Sequence, residues 1–122
     1  MRSILVFRIL FFTALCYSLY LFLAEGIDSG IHWPHFDKVG HFMAFAGLSL
    51  LFDLAFSKSK PVALSLALLY GVAVEVMQLT VSTRQGSIGD VIADMAGSLC
   101  YYYVFQTWCR AQLTKLSVPL KP

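Results

Sequence analysis

Charged residues are scarce in this chain of 122 residues. They make up 13% of the sequence, and hydrophobic residues make up 58%; a soluble domain carries roughly 25% charged residues. The net charge is only +2, and the sequence has no Lys/Arg run and no Gly-rich phosphate loop. These absences argue against nucleic acid as a partner and against phosphate-loop chemistry. We therefore expect a small integral membrane protein of one domain, residues 1–122.

Metal-binding spacings are also missing. Cys16, Cys100 and Cys109 lie in apolar segments without a CxxC or Cys/His pattern, and their odd number leaves no complete disulfide set. Solvated loop side chains are the simpler interpretation of His32 and His35. The sequence therefore predicts free thiols, no metal and no cofactor.

Four apolar segments of about 17–21 residues are each long enough to cross ~30 Å of hydrocarbon. They predict helices at about 4–24, 39–56, 61–81 and 90–109, followed by a polar tail, 110–122, that we expect to fray. The first segment lacks a small-x-small cleavage site, so it predicts an uncleaved helix rather than a signal peptide. Short connections then predict an all-α fold, an antiparallel bundle of four transmembrane helices.

The basic residues are distributed unevenly over the two sides of this bundle. Seven of the nine Lys and Arg residues fall on the side of the termini: Arg2, Arg8, Lys58, Lys60, Arg110, Lys115 and Lys121. Only Lys38 and Arg84 fall on the other side. By the positive-inside rule both termini are predicted to be cytoplasmic.

The stretch from Tyr70 to Gly97 places polar side chains inside apolar segments. Glu75 and Gln78 follow Gly71 at i+4 and i+7, and Asp94 and Gly97 follow Asp90 in the same way. Each trio therefore shares one helical face, and the small residues, with Ala93, allow another helix to approach. An ionisable residue such as Glu75 in a membrane segment indicates a functional site.

These residues are predicted to converge on one outward-facing pocket, because they cluster at one end of the bundle. Its members are Asp37, Lys38, His41, Glu75, Gln78, Arg84, Ser87, Asp90 and Asp94. Helix capping is an equal alternative for Asp37. Asp53 is predicted to lie outside the pocket and to pair with Lys58 or Lys60.

Three blocks of this sequence resemble the VanZ-like family of small bacterial membrane proteins. They are DKVGHFMAFAGL from Asp37, YGVAVEVMQ from Tyr70, and RQGSIGDVIADMAG from Arg84, within a region that extends from Asp37 to about Tyr101. Two positions depart from the family pattern: Ser82 stands where proline is frequent, and Asp94 where asparagine is frequent. The family's named member is linked to low-level teicoplanin resistance. The resemblance thus implies the bacterial cytoplasmic membrane and a role in the cell envelope.

Several functions stay open at this stage. In the first, the pocket binds the head group of an envelope lipid or cell-wall precursor, with or without catalysis; Glu75, His41 and Asp90 are the acid–base candidates. In the second, the polar residues only hold the bundle together. Ion-coupled transport and a metal site of Asp37, His41, Glu75 and Asp90 are weaker alternatives. Membrane lipids are the expected partners, and an oligomer is compatible with the sequence.

Overall fold

The computed structural model describes residues 2–24, 36–80 and 87–122, and all regular structure in these ranges is helical. This confirms the predicted all-α class. The helices are α1 (Arg2–Leu23), α2 (Phe36–Phe56), α3 (Lys60–Gln78), α4 (Ile88–Cys100), a π-helical segment (Tyr101–Phe105) and α5 (Gln106–Lys115).

Apolar side chains cover much of the outer surface. Within the described ranges, three helical segments are long and apolar enough to cross a membrane by length and composition: Arg2–Leu23, Asp37–Phe56 and Lys60–Gln78. In the first of them only 6% of the most apolar window is buried inside the protein. Such broad exposure of apolar side chains suits contact with lipid better than contact with water.

The last helical run differs from the uninterrupted helix predicted for residues 90–109. It begins at Ile88, changes to π-helical geometry at Tyr101 and returns to α-helix at Gln106. The π-helical turn carries two adjacent aromatic residues, Tyr101 and Tyr102, and both are buried. Hydrophobic periodicity cannot reveal one wide turn inside a helix, because π-bulges depend on local packing.

Close packing joins α4 to α2. A Cβ atom added at Gly97 would overlap the backbone carbonyl oxygen of Phe42, so the two helices approach each other where Gly97 has no side chain. The small-residue contact predicted at Gly97 is therefore confirmed. On the α3 side, a Cβ at Gly71 would lie 3.0 Å from Oδ2 of Asp94.

The sequence predicted an ion pair between Asp53 and Lys58 or Lys60, and this prediction is wrong: among the described residues, Asp53 pairs with Arg110. Its side chain is 1% exposed, and Arg110 donates to it from Nε to Oδ2 (2.9 Å) and from Nη2 to Oδ1 (3.0 Å). The Tyr101 hydroxyl donates to the same carboxylate at 2.8 Å. These hydrogen bonds raise the pKa of the Arg110 guanidinium above its ordinary value, so Arg110 stays charged.

The residues after α5 are held against the bundle, whereas a frayed tail was expected. Ser3 Oγ donates to the Pro119 carbonyl at 3.0 Å, and Arg110 Nη1 donates to the Lys121 carbonyl at 2.9 Å. Ser57 Oγ also donates to the Lys121 carbonyl, at 3.2 Å. The arginine that binds Asp53 therefore also holds the end of the chain.

Candidate functional site

The first turn of α4 forms one wall of the candidate site. Ser87 caps this helix, because its Oγ accepts a hydrogen bond from the Asp90 backbone N–H at 3.1 Å. The Ser-x-x-acidic spacing of a capping box is the sequence signal for this arrangement. The cap fixes where α4 begins and places Asp90, with only 4% of its surface exposed, against the start of α2.

Lys38 joins the exposed rim of the site to its buried part. Its Nζ lies 2.9 Å from Oδ1 of Asp90 and 3.9 Å from Oδ2 of Asp37. The Asp37 side chain is 60% exposed, whereas that of Asp90 is 6% exposed. The lysine stem passes close to Gly89, where an added Cβ would lie 3.0 Å from Lys38 Cε. Asp37 therefore belongs to the rim.

His41 lies below Lys38 and is held on three sides. Its Nδ1 is 2.7 Å from Oδ1 of Asp94, and its Nε2 is 3.9 Å from Oδ2 of Asp90. The imidazole ring stacks on Phe22, with ring centroids 4.4 Å apart and planes at 15°. Phe22 contacts the ring from α1, and Asp90 and Asp94 approach it from successive turns of α4. The ring therefore has little freedom to rotate.

Glu75 reaches the same site from α3. Its Oε2 accepts a hydrogen bond from the Ser87 backbone N–H at 2.6 Å, and the residue is 8% exposed. Within the described ranges, Oε1 of Glu75, Oε1 of Gln78 and Oδ2 of Asp94 are buried without a hydrogen-bond partner. A buried polar atom left unpaired costs about 1–3 kcal/mol, so these acceptors suit an additional donor or cation.

The structure brings most of the predicted site residues together. We call six of them the polar cluster: Lys38, His41, Glu75, Ser87, Asp90 and Asp94. Gln78 is not one of them, because its Nε2 donates to the Phe22 carbonyl at 2.7 Å. Arg84 lies outside the described residues.

Three members of the polar cluster can offer ligand atoms to one cation. His41, Glu75 and Asp90 each present an atom, and these atoms all lie within 4.8 Å of one another. The metal alternative raised from the sequence also included Asp37, which lies on the rim. The sequence could not select this trio, because its members come from three helices without a recognisable ligand spacing.

Phe22 is the residue near the site that the sequence analysis missed. It stacks on His41 and packs on Phe45, which also lines an apolar cavity of about 340 Å³ between the helices. Nothing in an apolar run such as α1 distinguishes the aromatic residue that will contact a histidine of another helix. A tertiary contact was needed to find it.

A family model described as VanZ/LLP1 matches residues 2–109. No curated protein and no solved structure matches the chain. The family match includes all of α1 and thus extends beyond the resemblance seen between Asp37 and Tyr101. Taken with the membrane-length helices of the described ranges, it shows that the chain belongs to the VanZ/LLP1 family and is a VanZ-like membrane protein.

Proposed function

We propose that this protein crosses the bacterial cytoplasmic membrane four times, with both termini in the cytoplasm. The fourth span consists of α4, the π-helical segment and the start of α5, which follow one another without a break. The uneven distribution of Lys and Arg supports the orientation. The polar cluster then lies at the outer face of the membrane, where α2 begins, α3 ends and α4 begins.

The polar cluster, in this proposal, binds the head group of an envelope lipid or cell-wall precursor. One observation carries the proposal: Glu75 Oε1 and Asp94 Oδ2, buried acceptors without a hydrogen-bond partner in the described ranges, share the polar cluster with Lys38, whose side chain is 33% exposed. A head group with both a phosphate and a hydroxyl or amine donor matches this arrangement, since the phosphate contacts Lys38 and the donor reaches the Glu75 carboxylate.

Mass spectrometry of lipids that co-purify in a mild detergent tests this function. The proteins compared are the wild type, Glu75→Gln, Arg84→Ala, and Lys58→Ala as a control for loss of a cation at the opposite end. We expect a phosphate-bearing envelope lipid on the wild type and on Lys58→Ala, and its loss from the other two. Identical lipid profiles from four equally folded proteins would contradict head-group binding.

A structural role is the second candidate, and the contacts within the polar cluster favour it. Lys38–Asp90 and His41–Asp94 join α2 to α4, while Ser87–Glu75 joins the start of α4 to α3. If these contacts serve only the bundle, Glu75→Gln lowers stability in detergent and has no separate effect on glycopeptide susceptibility. A variant that is fully stable but loses its effect on cells would exclude this candidate and would justify a search for turnover.

A further inference from the structure

We propose that His41, Glu75 and Asp90 form a binding site for a divalent transition-metal ion, with Asp94 as the residue that orients His41. This inference goes beyond head-group binding, because it concerns an ion held by the protein itself and does not require a lipid. The three ligand atoms lie within 4.8 Å of one another in a buried part of the bundle.

The spacing between His41 and Asp90 fits an ion better than a direct contact. Nε2 of His41 and Oδ2 of Asp90 face each other at 3.9 Å, which is too long for a hydrogen bond. Two ligands of a tetrahedral Zn²⁺ ion, each about 2.0–2.1 Å from the metal, lie about 3.3 Å apart. A movement of less than about 1 Å would therefore bring both atoms into coordination.

Asp94 prepares His41 for this role. An ionised Asp94 can only accept a hydrogen bond, so in that state the 2.7 Å contact requires the imidazole hydrogen on Nδ1. Nε2 then keeps its lone pair and is directed at Asp90. Metal-binding histidines are oriented in this way by a carboxylate on the second ring nitrogen, and the stacking on Phe22 further restricts the ring.

The charges of the polar cluster also favour a divalent ion. Among the residues that the structure describes, three buried carboxylates, Glu75, Asp90 and Asp94, meet one lysine and an imidazole that is neutral when it acts as a ligand. A divalent ion and Lys38 together balance the three negative charges, and buried charges require such compensation. Glu75 Oε1, which has no hydrogen-bond partner in the described ranges, would then be satisfied.

The ligand types select the kind of metal. Mg²⁺ and Ca²⁺ prefer oxygen ligands alone, whereas imidazole suits Zn²⁺ and other transition metals. The competing arrangement uses protons: a charged His41 and a protonated Glu75 would also neutralise the site. Direct measurement of bound metal separates these two arrangements.

The experiment uses the full-length protein in detergent, freed of metal with a chelator and dialysed against Zn²⁺, with bound metal measured by mass spectrometry. Other zinc ligands are first removed in a common background, with Cys16, Cys100 and Cys109 changed to Ser, and His32 and His35 to Ala. We expect about one Zn²⁺ per chain in this background. Excess Mg²⁺ should not displace it.

Four variants locate the bound ion. Glu75→Gln and Asp90→Asn remove a ligand charge with little change in size, and each should weaken Zn²⁺ binding at least tenfold. Asp94→Asn should weaken it by about tenfold, the low end for loss of such an orienting group, because the amide oxygen still accepts from Nδ1. Asp37→Asn is the matched control, since this carboxylate lies on the rim. The affinity of this variant for Zn²⁺ should equal that of the background protein.

Absence of bound Zn²⁺, unchanged binding in Glu75→Gln and Asp90→Asn, or equal displacement by Mg²⁺ would each overturn the proposal. Thermal unfolding of the background protein keeps the test valid if a variant fails to fold. Zn²⁺ should raise its melting temperature relative to chelator, because a ligand that binds only the folded state stabilises that state. No shift would also overturn the proposal. Head-group binding also uses Glu75, but it is measured by the lipid that co-purifies, so failure of one proposal is distinguishable from failure of the other.

Discussion

The carboxylate of Asp53 and the guanidinium of Arg110 form a two-point ion pair across 57 positions of sequence, with N–O distances of 2.9 and 3.0 Å. The pair joins α2 to α5 at the end of the bundle opposite the polar cluster. Because Asp53 is 1% exposed and also accepts from the Tyr101 hydroxyl, its carboxylate depends on Arg110 and Tyr101 in place of water.

The first prediction concerns this pair. Arg110→Ala leaves the Asp53 charge buried and uncompensated, and we expect the free energy of unfolding to fall by about 3–5 kcal/mol. Denaturant unfolding in detergent micelles measures the change. The matched control is Lys58→Ala, which should change stability by less than about 0.5 kcal/mol. If Lys58→Ala lowered the free energy of unfolding more than Arg110→Ala, the result would support the Asp53–Lys58 pair expected from sequence and would contradict the Asp53–Arg110 pair.

The second prediction concerns the contact between α2 and α4. Gly97→Ala places a methyl group against the Phe42 carbonyl and the Ala46 backbone nitrogen of α2, which are backbone atoms and cannot move aside as a side chain could. We expect a loss of at least about 1–3 kcal/mol, as for overpacked cores. Gly47→Ala is the control, because a Cβ there meets no atom within 4 Å and alanine is the better helix former by roughly 0.5–1 kcal/mol. Equal melting temperatures of the two variants would mean that α2 and α4 are not in close contact at Gly97.

The third prediction concerns the attachment of α1 to α3. The hydroxyls of Ser18 and Tyr70 are 2.8 Å apart, and Tyr70→Phe removes this hydrogen bond while keeping the ring. We expect a loss of about 1 kcal/mol, measured by thermal unfolding. Tyr103→Phe changes the same chemical group on an exposed ring and should have no effect. If both variants unfold at the same temperature as the wild type, the Ser18–Tyr70 hydrogen bond makes no net contribution to stability.

The fourth prediction concerns the proposed orientation in the membrane. In a cysteine-free background, Ile88→Cys should react with an impermeant thiol reagent added to intact cells, and Ser59→Cys should react only after lysis. Ile88 is 82% exposed, and its replacement leaves the Ser87 cap in place. Ser59 makes no side-chain cap to α3, so it too is replaceable. If only Ser59→Cys reacted in intact cells, the proposed orientation would be wrong and the opposite one would hold.

Some features of the site could be read from sequence because they depend on local spacing. Glu75 and Gln78 share a face with Gly71, and Asp94 shares one with Gly97, since these positions repeat at helical spacing. Residues that share a helical face do not all have partners in the same place, however. Glu75 and Asp94 belong to the polar cluster, whereas Gln78 donates to the Phe22 carbonyl near the end of α1. Local periodicity gives the face of a side chain but does not identify its partner.

The choice of partner was harder still for Asp53. Two lysines follow it within seven positions, so proximity in sequence favoured an ion pair with one of them. Arg110 is far away along the chain and reaches Asp53 because α4 and the π-helical segment pack along α2 and carry the start of α5 to the end where Asp53 lies. Long-range ion pairs depend on how helices cross, and no short pattern encodes the crossing.

Composition and periodicity by themselves determined that this protein is helical, that it is apolar enough for a membrane, and where its polar residues lie along each helix. These properties follow from hydrophobicity and from the fixed geometry of a helical turn. Tertiary structure alone decided that Asp94 holds His41, that Phe22 covers it, and that Glu75 and Asp90 meet His41 from two other helices. Those contacts arise from side-chain packing between distant segments, which the order of residues in any one segment does not specify.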